Sequence, residues 1–213
     1  MKKKGLFITF EGLDFSGKST QSKLLYAYLQ SKKIQALWLR EPGGTKISEK
    51  IRQIILDKEN PEMFSITEYL LFSASRSQLV NEVIIPNIKK GVTVICDRYF
   101  DSSTAYQGYA GKLDVKKIKQ INEFATGDLN PDITFFIDID HKFTFKRAAL
   151  RNSKDRMENK SKKYFEKVYD GFLEISKKNK SRYVMLNGHR SIKDIQWEIQ
   201  KIVNGKLKLK KIK

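Results

Sequence analysis

The chain has 213 residues, a formal net charge of +18, one cysteine and two histidines. That length suits one α/β domain with a sizeable core, and every apolar run is too short to span a bilayer. A lone Cys96 cannot form an intramolecular disulfide, and His141 and His189 lack metal-ligand spacing, which argues against an oxidising compartment, a redox centre or a zinc site. The positive charge would suit a nucleic-acid binder, yet it is lysine scattered over predicted helices with no RNA- or DNA-binding signature. It reads as a compositional bias that aids solubility and attracts phosphorylated substrates, so neither a specific nucleic acid nor a membrane is an expected partner. Met1 to Lys4 precede the apolar run Leu6 to Phe10, but Glu11 and Asp14 follow at once. The segment reads as a first strand, with no export signal, and a cytoplasmic location is expected.

Strand and helix signals then alternate, the pattern of a parallel sheet covered on both faces. Leu6 to Phe10 is followed by a glycine-containing turn and a helix over 19–32. Ala36 to Arg40 is a second strand, stopped by the breaker run Glu41, Pro42, Gly43 and Gly44, with a short helix over 48–56 beyond it. Ser65 and Glu68 have the spacing of a capping box, opening a helical stretch that runs to Lys90 with an interruption at Pro86. Val92 to Cys96 is a third strand, β-branched and apolar, ending in Asp97 and Arg98. A helix over 115–125, a strand over 133–137, a short strand over 183–186 and a helix over 192–203 complete the order. Residues 151–161, between two helices, are charged and poor in core residues, the composition of an exposed mobile loop. The basic tail, 205–213, suits an edge strand, a membrane-surface contact or a solvated end, the last being the default for a terminus. With no repeat and no linker, residues 1–213 are expected to form a single domain on a five-stranded parallel sheet.

Between the first strand and the first helix, Gly12 to Ser19 (GLDFSGKS) matches G-x-x-x-x-G-K-[ST] in the context that makes this motif a phosphate-binding loop. The expected architecture is therefore a P-loop NTPase fold. Gly12 and Gly17 admit backbone conformations closed to other residues, so that N–H groups turn toward phosphate oxygens. The ATP-binding segment comprises Gly12, Leu13, Asp14, Phe15, Ser16, Gly17, Lys18, Ser19 and Thr20. Lys18 supplies a mobile charge to the outer phosphates and Ser19 a hydroxyl to magnesium. Asp97, at a strand end, reads either as a helix cap or as the carboxylate that holds magnesium; beside a P-loop the second is preferred. No guanine-reading N-K-x-D element is present, and a motor would carry further subdomains. Arg40, Arg98, Arg151 and Arg156 lie beside three separate breaker loops, an arrangement suited to two phosphorylated substrates meeting head to head.

Six segments in this order resemble the thymidylate kinase family, over nearly the whole chain: 10–20 (FEGLDFSGKST), 40–45 (REPGGT), 71–76 (LFSASR), 97–99 (DRY), 102–108 (SSTAYQG) and 155–158 (DRME). The resemblance implies transfer of the ATP γ-phosphoryl group to thymidine 5′-monophosphate, with magnesium, in a homodimer joined through helices. It further implies that Asp14 holds the deoxyribose 3′-hydroxyl or a magnesium-bound water, and that Arg98, Arg52 and Arg40 grip the acceptor phosphate. Phe72 would stack on thymine and Arg76 would donate to its carbonyl edge, although Phe72 by itself, among Leu70, Leu71 and Ala74, reads as core. Tyr106 would crowd the 2′ position, Ser103 and Gln107 would line the base pocket, and Arg147 would lie against adenine. Some members carry an arginine after the P-loop aspartate. Phe15 stands there in this chain, which resembles the bacterial type and leaves Arg151 and Arg156, in a lid over 150–161, as the expected catalytic arginines. Two other readings stand beside it. One is a deoxyribonucleoside kinase with Glu41 as base; the other is a non-catalytic nucleic-acid binder that would tolerate loss of Lys18.

Overall fold

The computed structural model describes residues 4–148 and 155–208, with Arg147 and Ala148 by backbone only. Arg151, the first part of the expected lid and the end of the tail lie outside the described residues. Five strands form one parallel sheet: β1 (Phe7–Glu11), β2 (Ala36–Arg40), β3 (Thr93–Asp97), β4 (Ile133–Asp138) and β5 (Tyr183–Asn187), in the order β2-β3-β1-β4-β5. The register sets Phe10 beside Asp97 on one side and beside Phe135 on the other. Each predicted strand is present: β2 has the predicted bounds, and the other four are displaced by a residue at one or both ends.

Helices cover both faces, as the strand composition requires, because β1, β3 and β4 are buried on both sides. Side chains alternate between the faces with the strand period of two. Ile8, Phe10, Ile95 and Phe135 pack against α1 (Lys18–Ser31) and α9 (Ile192–Leu207). Phe7, Val94 and Cys96 face the other way, toward the helical run that begins with α3 (Ser65–Leu79). Phe136 joins that second face against α8 (Lys162–Lys178). Because β1 is the central strand, its carboxyl end opens at the middle of the sheet edge, with the start of α1 directly beyond it.

The structure departs from the sequence reading at several points. The interruption expected at Pro86 is no break in the helical run: a π-helical turn, Val80–Ile84, leads directly into α4 (Ile85–Lys89), and this wider turn directly precedes the proline, whose ring and missing N–H disturb an α-helical ladder. The capping box does not form, since α3 starts without any side-chain cap. α5 (Phe100–Ser103) and a π-helical segment (Thr104–Ala110), which follow β3, were not predicted; polar and glycine-bearing, they carry little apolar periodicity. The remaining helices are α2 (Lys46–Leu56), α6 (Val115–Thr126) and α7 (His141–Ala148). Part of the tail, 205–207, is the last turn of α9. The expected exposed lid is also corrected in part, because Arg156 and Met157 are buried.

Candidate active site

The loop between β1 and α1 owes its shape to three positive backbone angles: Gly12 at φ +144°, Phe15 at +63° and Gly17 at +103°. A Cβ on Gly12 would lie 2.9 Å from Ser16 Oγ and 3.0 Å from the Ile137 carbonyl, so no other residue fits there. No side chain caps α1, which leaves the N–H groups of its first turn available to an anion. Lys18 is buried, with Nζ 3.3 Å from the Leu13 carbonyl and 3.7 Å from Asp14 Oδ1. Burial, and then the neighbouring charge of Arg98, push its pKa down. From Asp14 through Thr20 the loop lines a cavity of about 1220 Å³, completed by Ile137, Gly188, Arg190 and Ile192. Leu13 differs from its neighbours, since its side chain enters the core and its contribution is main-chain only.

A second cavity, of about 600 Å³, meets the first at Asp14 and Glu158, which line both. It gathers Arg52, Phe72, Arg76, Arg98, Ser103, Tyr106 and Gln107, seven of the eight residues expected to bind substrate. At its inner end Arg98 follows β3 with φ +73°, a strained turn for a non-glycine residue that sends the side chain back over the P-loop. Its Nη1 donates to the Gly12 carbonyl at 3.0 Å and Ser102 Oγ at 2.9 Å, and its Nη2 to Asp14 Oδ1 at 2.6 Å. Tyr106 completes the triangle, its hydroxyl donating to Asp14 Oδ2 at 2.9 Å. Burial alone would raise the Asp14 pKa, but Arg98 and Lys18 hold it well below the ordinary carboxylate range.

Arg76 is 1% exposed and donates to Glu41 Oε2 at 2.8 Å, Asn122 Oδ1 at 3.0 Å and Ser103 Oγ at 2.8 Å. Three of its five N–H groups are thereby committed, which fixes the plane in which the other two point. Phe72 is half-buried on α3 and lines the cavity, so it serves as both core and wall. Arg52 donates to the Pro42 carbonyl at 3.0 Å; burial, and then the charge of Arg40, lower its pKa. Arg40 itself is not brought to this cavity. Its guanidinium is held by Glu49 at 3.0 Å, half-exposed, and by the Pro42 carbonyl at 3.1 Å. Arg156 is also turned away from the role expected of it, since Glu68 Oε2 at 2.7 Å and the Ile55 carbonyl at 2.8 Å hold it in the buried interior. Arg147 is described by backbone only, on α7, and Arg151 lies outside the described residues.

Several groups that build the site were not singled out as site residues in the sequence. Glu11 is fully buried and accepts from Tyr99 N at 2.8 Å and Ser102 Oγ at 2.5 Å, bracing the turn that carries Arg98. Its signal in the sequence is a charged residue directly at the end of an apolar strand. In the sequence Glu41 reads only as a base for a nucleoside, yet it is the buried partner of Arg76, with Oε1 left unpartnered among the described residues. Burial raises its pKa against the pull of Arg76. Glu68 reads in the sequence as a cap, and Asn122 gives no signal there.

Two oxygen groups beside the P-loop, Asp97 near Lys18 and Ser19 in the cavity wall, would suit magnesium. Asp97 Oδ1 is buried without a hydrogen-bond partner among the described residues, and Ser19 is exposed on the first turn of α1.

Against known proteins, the family model described as thymidylate kinase matches residues 10–199. The chain is 43% identical over 209 residues to the thymidylate kinase of Caldanaerobacter subterraneus subsp. tengcongensis, covering 98% of this chain and 100% of that one. It is 46% identical over 202 residues to the thymidylate kinase of Thermosipho africanus, covering 95% and 99% respectively. The crystal structure of thymidylate kinase from Ehrlichia chaffeensis matches with a TM-score of 0.77 at 34% identity, over 94% of this chain and 99% of that chain. A P-loop cavity joined at Asp14 to an arginine-lined one, with these full-length likenesses, establishes that the chain belongs to the thymidylate kinase family.

Proposed function

We propose that this chain transfers the γ-phosphoryl group of ATP to thymidine 5′-monophosphate, giving ADP and thymidine 5′-diphosphate, a step in thymidine triphosphate synthesis. The observation that carries the reading is the junction of two cavities at Asp14, one walled by the P-loop and the other by three guanidiniums and an aromatic face. Guanidiniums around an acceptor screen the repulsion between two anionic substrates. A monophosphate is already largely dianionic at neutral pH, its second ionisation lying near ~6, so its oxygen attacks without a general base.

In this reading the P-loop N–H groups and Lys18 hold the donor phosphates, and Arg98 and Arg52 hold the acceptor phosphate. Asp14, fixed by Arg98 and Tyr106, accepts from the sugar 3′-hydroxyl, and Tyr106 closes the space a 2′-hydroxyl would need. Phe72 stacks on the base while Arg76, Ser103 and Gln107 address its polar edges. Ser19 and Asp97 would hold magnesium, which when bound neutralises charge on the outer phosphates. With Phe15 in the P-loop and Arg156 committed to Glu68, the charge on the group in transfer is assigned to Arg151.

The whole chain is read as one catalytic domain working in the cytoplasm; no helix among the described residues is long and apolar enough to cross a membrane. A homodimer is supported by Phe64, Ile66, Leu70 and Phe124, all exposed on α3, its N-terminal edge and the adjacent α6.

The test is ADP release from magnesium-ATP with thymidine, thymidylate, deoxyuridylate, AMP and CMP as acceptors. A strong response to thymidylate and none to thymidine is expected. A response to thymidine alone would transfer the chemistry to a base such as Glu41 and overturn the acceptor assignments.

A further inference from the structure

Glu68 is 3% exposed, and both its oxygens are engaged by parts of the molecule distant in sequence. Oε1 accepts from Gln107 Nε2 at 2.8 Å, and Oε2 pairs with Arg156 Nη1 at 2.7 Å. Gln107 lines the acceptor cavity, and Arg156 stands in the segment expected to cover the site. An ionised carboxylate only accepts, so it fixes the Gln107 amide with its NH₂ toward Glu68 and its carbonyl oxygen on the opposite edge.

Arg156 is anchored a second time. Its Nε donates to the Ile55 carbonyl at 2.8 Å and its backbone N–H to that of Leu56 at 3.3 Å, two of the open carbonyls at the end of α2. α2 carries Arg52, and Met157, next along, packs with Leu13, Tyr106 and Phe165. Three walls of the acceptor cavity, from α2, α3 and the π-helical segment, thus converge on one buried ion pair.

We infer that Glu68 is a positioning residue of the acceptor pocket, fixing the Gln107 amide and docking the 155–158 segment through a single buried carboxylate. The inference rests on reading this cavity as the thymidylate site. When Arg156 leaves, Glu68 loses its buried counter-charge, and a carboxyl buried without one favours its neutral form, which donates as well as accepts and no longer fixes the Gln107 amide. Acceptor recognition and docking of the covering segment are therefore coupled, and the coupling acts equally in both directions. It also bears on selectivity. The fixed carbonyl edge of Gln107 suits a base that presents a ring N–H, as thymine does, and not the bare ring nitrogen of cytosine.

The experiment measures kcat/KM for thymidylate and for deoxycytidylate with wild type, Glu68→Gln, Glu68→Asp, Arg156→Met and the double variant Glu68→Gln/Arg156→Met, with thermal melts alongside. Each of the glutamine and methionine single changes is expected to lower kcat/KM for thymidylate at least ~tenfold, with the KM for ATP little changed. The double variant should fall no further than the worse single. Glu68→Gln should also narrow the thymidylate-to-deoxycytidylate ratio, because its amide no longer dictates the orientation of Gln107, and Glu68→Asp should restore part of that ratio.

Losses that multiply in the double variant, or a ratio unchanged in Glu68→Gln, would overturn the role. Should a single variant fail to fold, the double variant removes both charges together and its selectivity ratio decides, an unchanged value counting against the role. Wild type that phosphorylates neither nucleotide would remove the acceptor reading itself; active wild type with independent losses would remove only the part given to Glu68.

Discussion

The two halves of the active site reach complementarity to phosphate by opposite means. On the donor side the backbone does most of it, through glycine angles, open N–H groups and one lysine. On the acceptor side it is done by side chains locked in buried or half-buried ion pairs: Asp14 with Arg98, Glu41 with Arg76, and Glu68 with Arg156. A backbone cradle is tolerant of its surroundings because N–H groups carry no full charge to desolvate. A cage of arginines is not, since each buried guanidinium needs a carboxylate beside it before substrate arrives. The donor side is thus built for affinity with little effect on stability, whereas on the acceptor side recognition and stability share the same atoms.

The comparison is tested hardest at Lys18. Lys18→Ala removes a donor aimed at developing charge and should lower kcat by ~10²–10³-fold, with the melting temperature and calorimetric thymidylate affinity close to wild type. Activity within tenfold of wild type would break the donor half of the comparison. Arg98→Met should behave differently, losing most activity and also about 3 kcal/mol of stability, the low end for a buried pair because the Asp14 side chain keeps 27% exposure. Adding Asp14→Asn should return most of the stability and none of the activity. Chemical denaturation of the three proteins decides; an Arg98→Met protein as stable as wild type would detach stability from the acceptor cage.

The same contrast governs what could be read from the sequence. The sheet, its parallel order and the P-loop were legible because they depend on local runs, such as Val94 to Cys96 or Gly12 to Ser19. Asp14 and Arg98 lie 84 residues apart, and Arg76 and Glu41 lie 35 apart, so no spacing rule announces those pairs. Arg98 stands out beside a breaker loop, and Asp14, Arg76 and Tyr106 are named through resemblance, whereas Glu41, which holds Arg76, and Glu11, which braces the turn of Arg98, carry no such role in the sequence. Glu68 was misread because Ser65 and Glu68 satisfy a local capping rule that a buried long-range ion pair overrides. Arg156 sits in a stretch whose charge reads as solvated loop, and only tertiary structure shows its counter-charge.

A gentler probe of the acceptor wall is Phe72. If its ring stacks on the base, Phe72→Ala should raise the thymidylate KM by ~tenfold, the range of a lost base–aromatic contact, with kcat changed much less. The shape of the loss separates wall from core. A fall in melting temperature with an unchanged KM would make Phe72 a packing residue alone and narrow the base contacts to Arg76, Ser103 and Gln107.

Glu11 has the smallest expected kinetic effect, yet it spans both halves, ending β1 ahead of the P-loop while bonding the turn that holds Arg98. Burial, and then the charge of Asp101, push its pKa up to about 8, against the opposing pull of Arg98. The unfolded chain releases this proton near 4.5, so between about 4.5 and 8 the folded state binds more protons than the unfolded one. Its contribution is therefore full below that window, declines as pH rises through it at up to about 1.4 kcal/mol per pH unit, and is lost above it. Glu11→Gln keeps the shape of the protonated acid and removes the titration. Denaturation midpoints at pH 5, 6.5 and 8 should show wild type losing stability relative to Glu11→Gln as pH rises. Parallel curves would mean that Glu11 is ionised throughout, and that Arg98 compensates a second carboxylate besides Asp14, which would draw the donor strand into the acceptor cage.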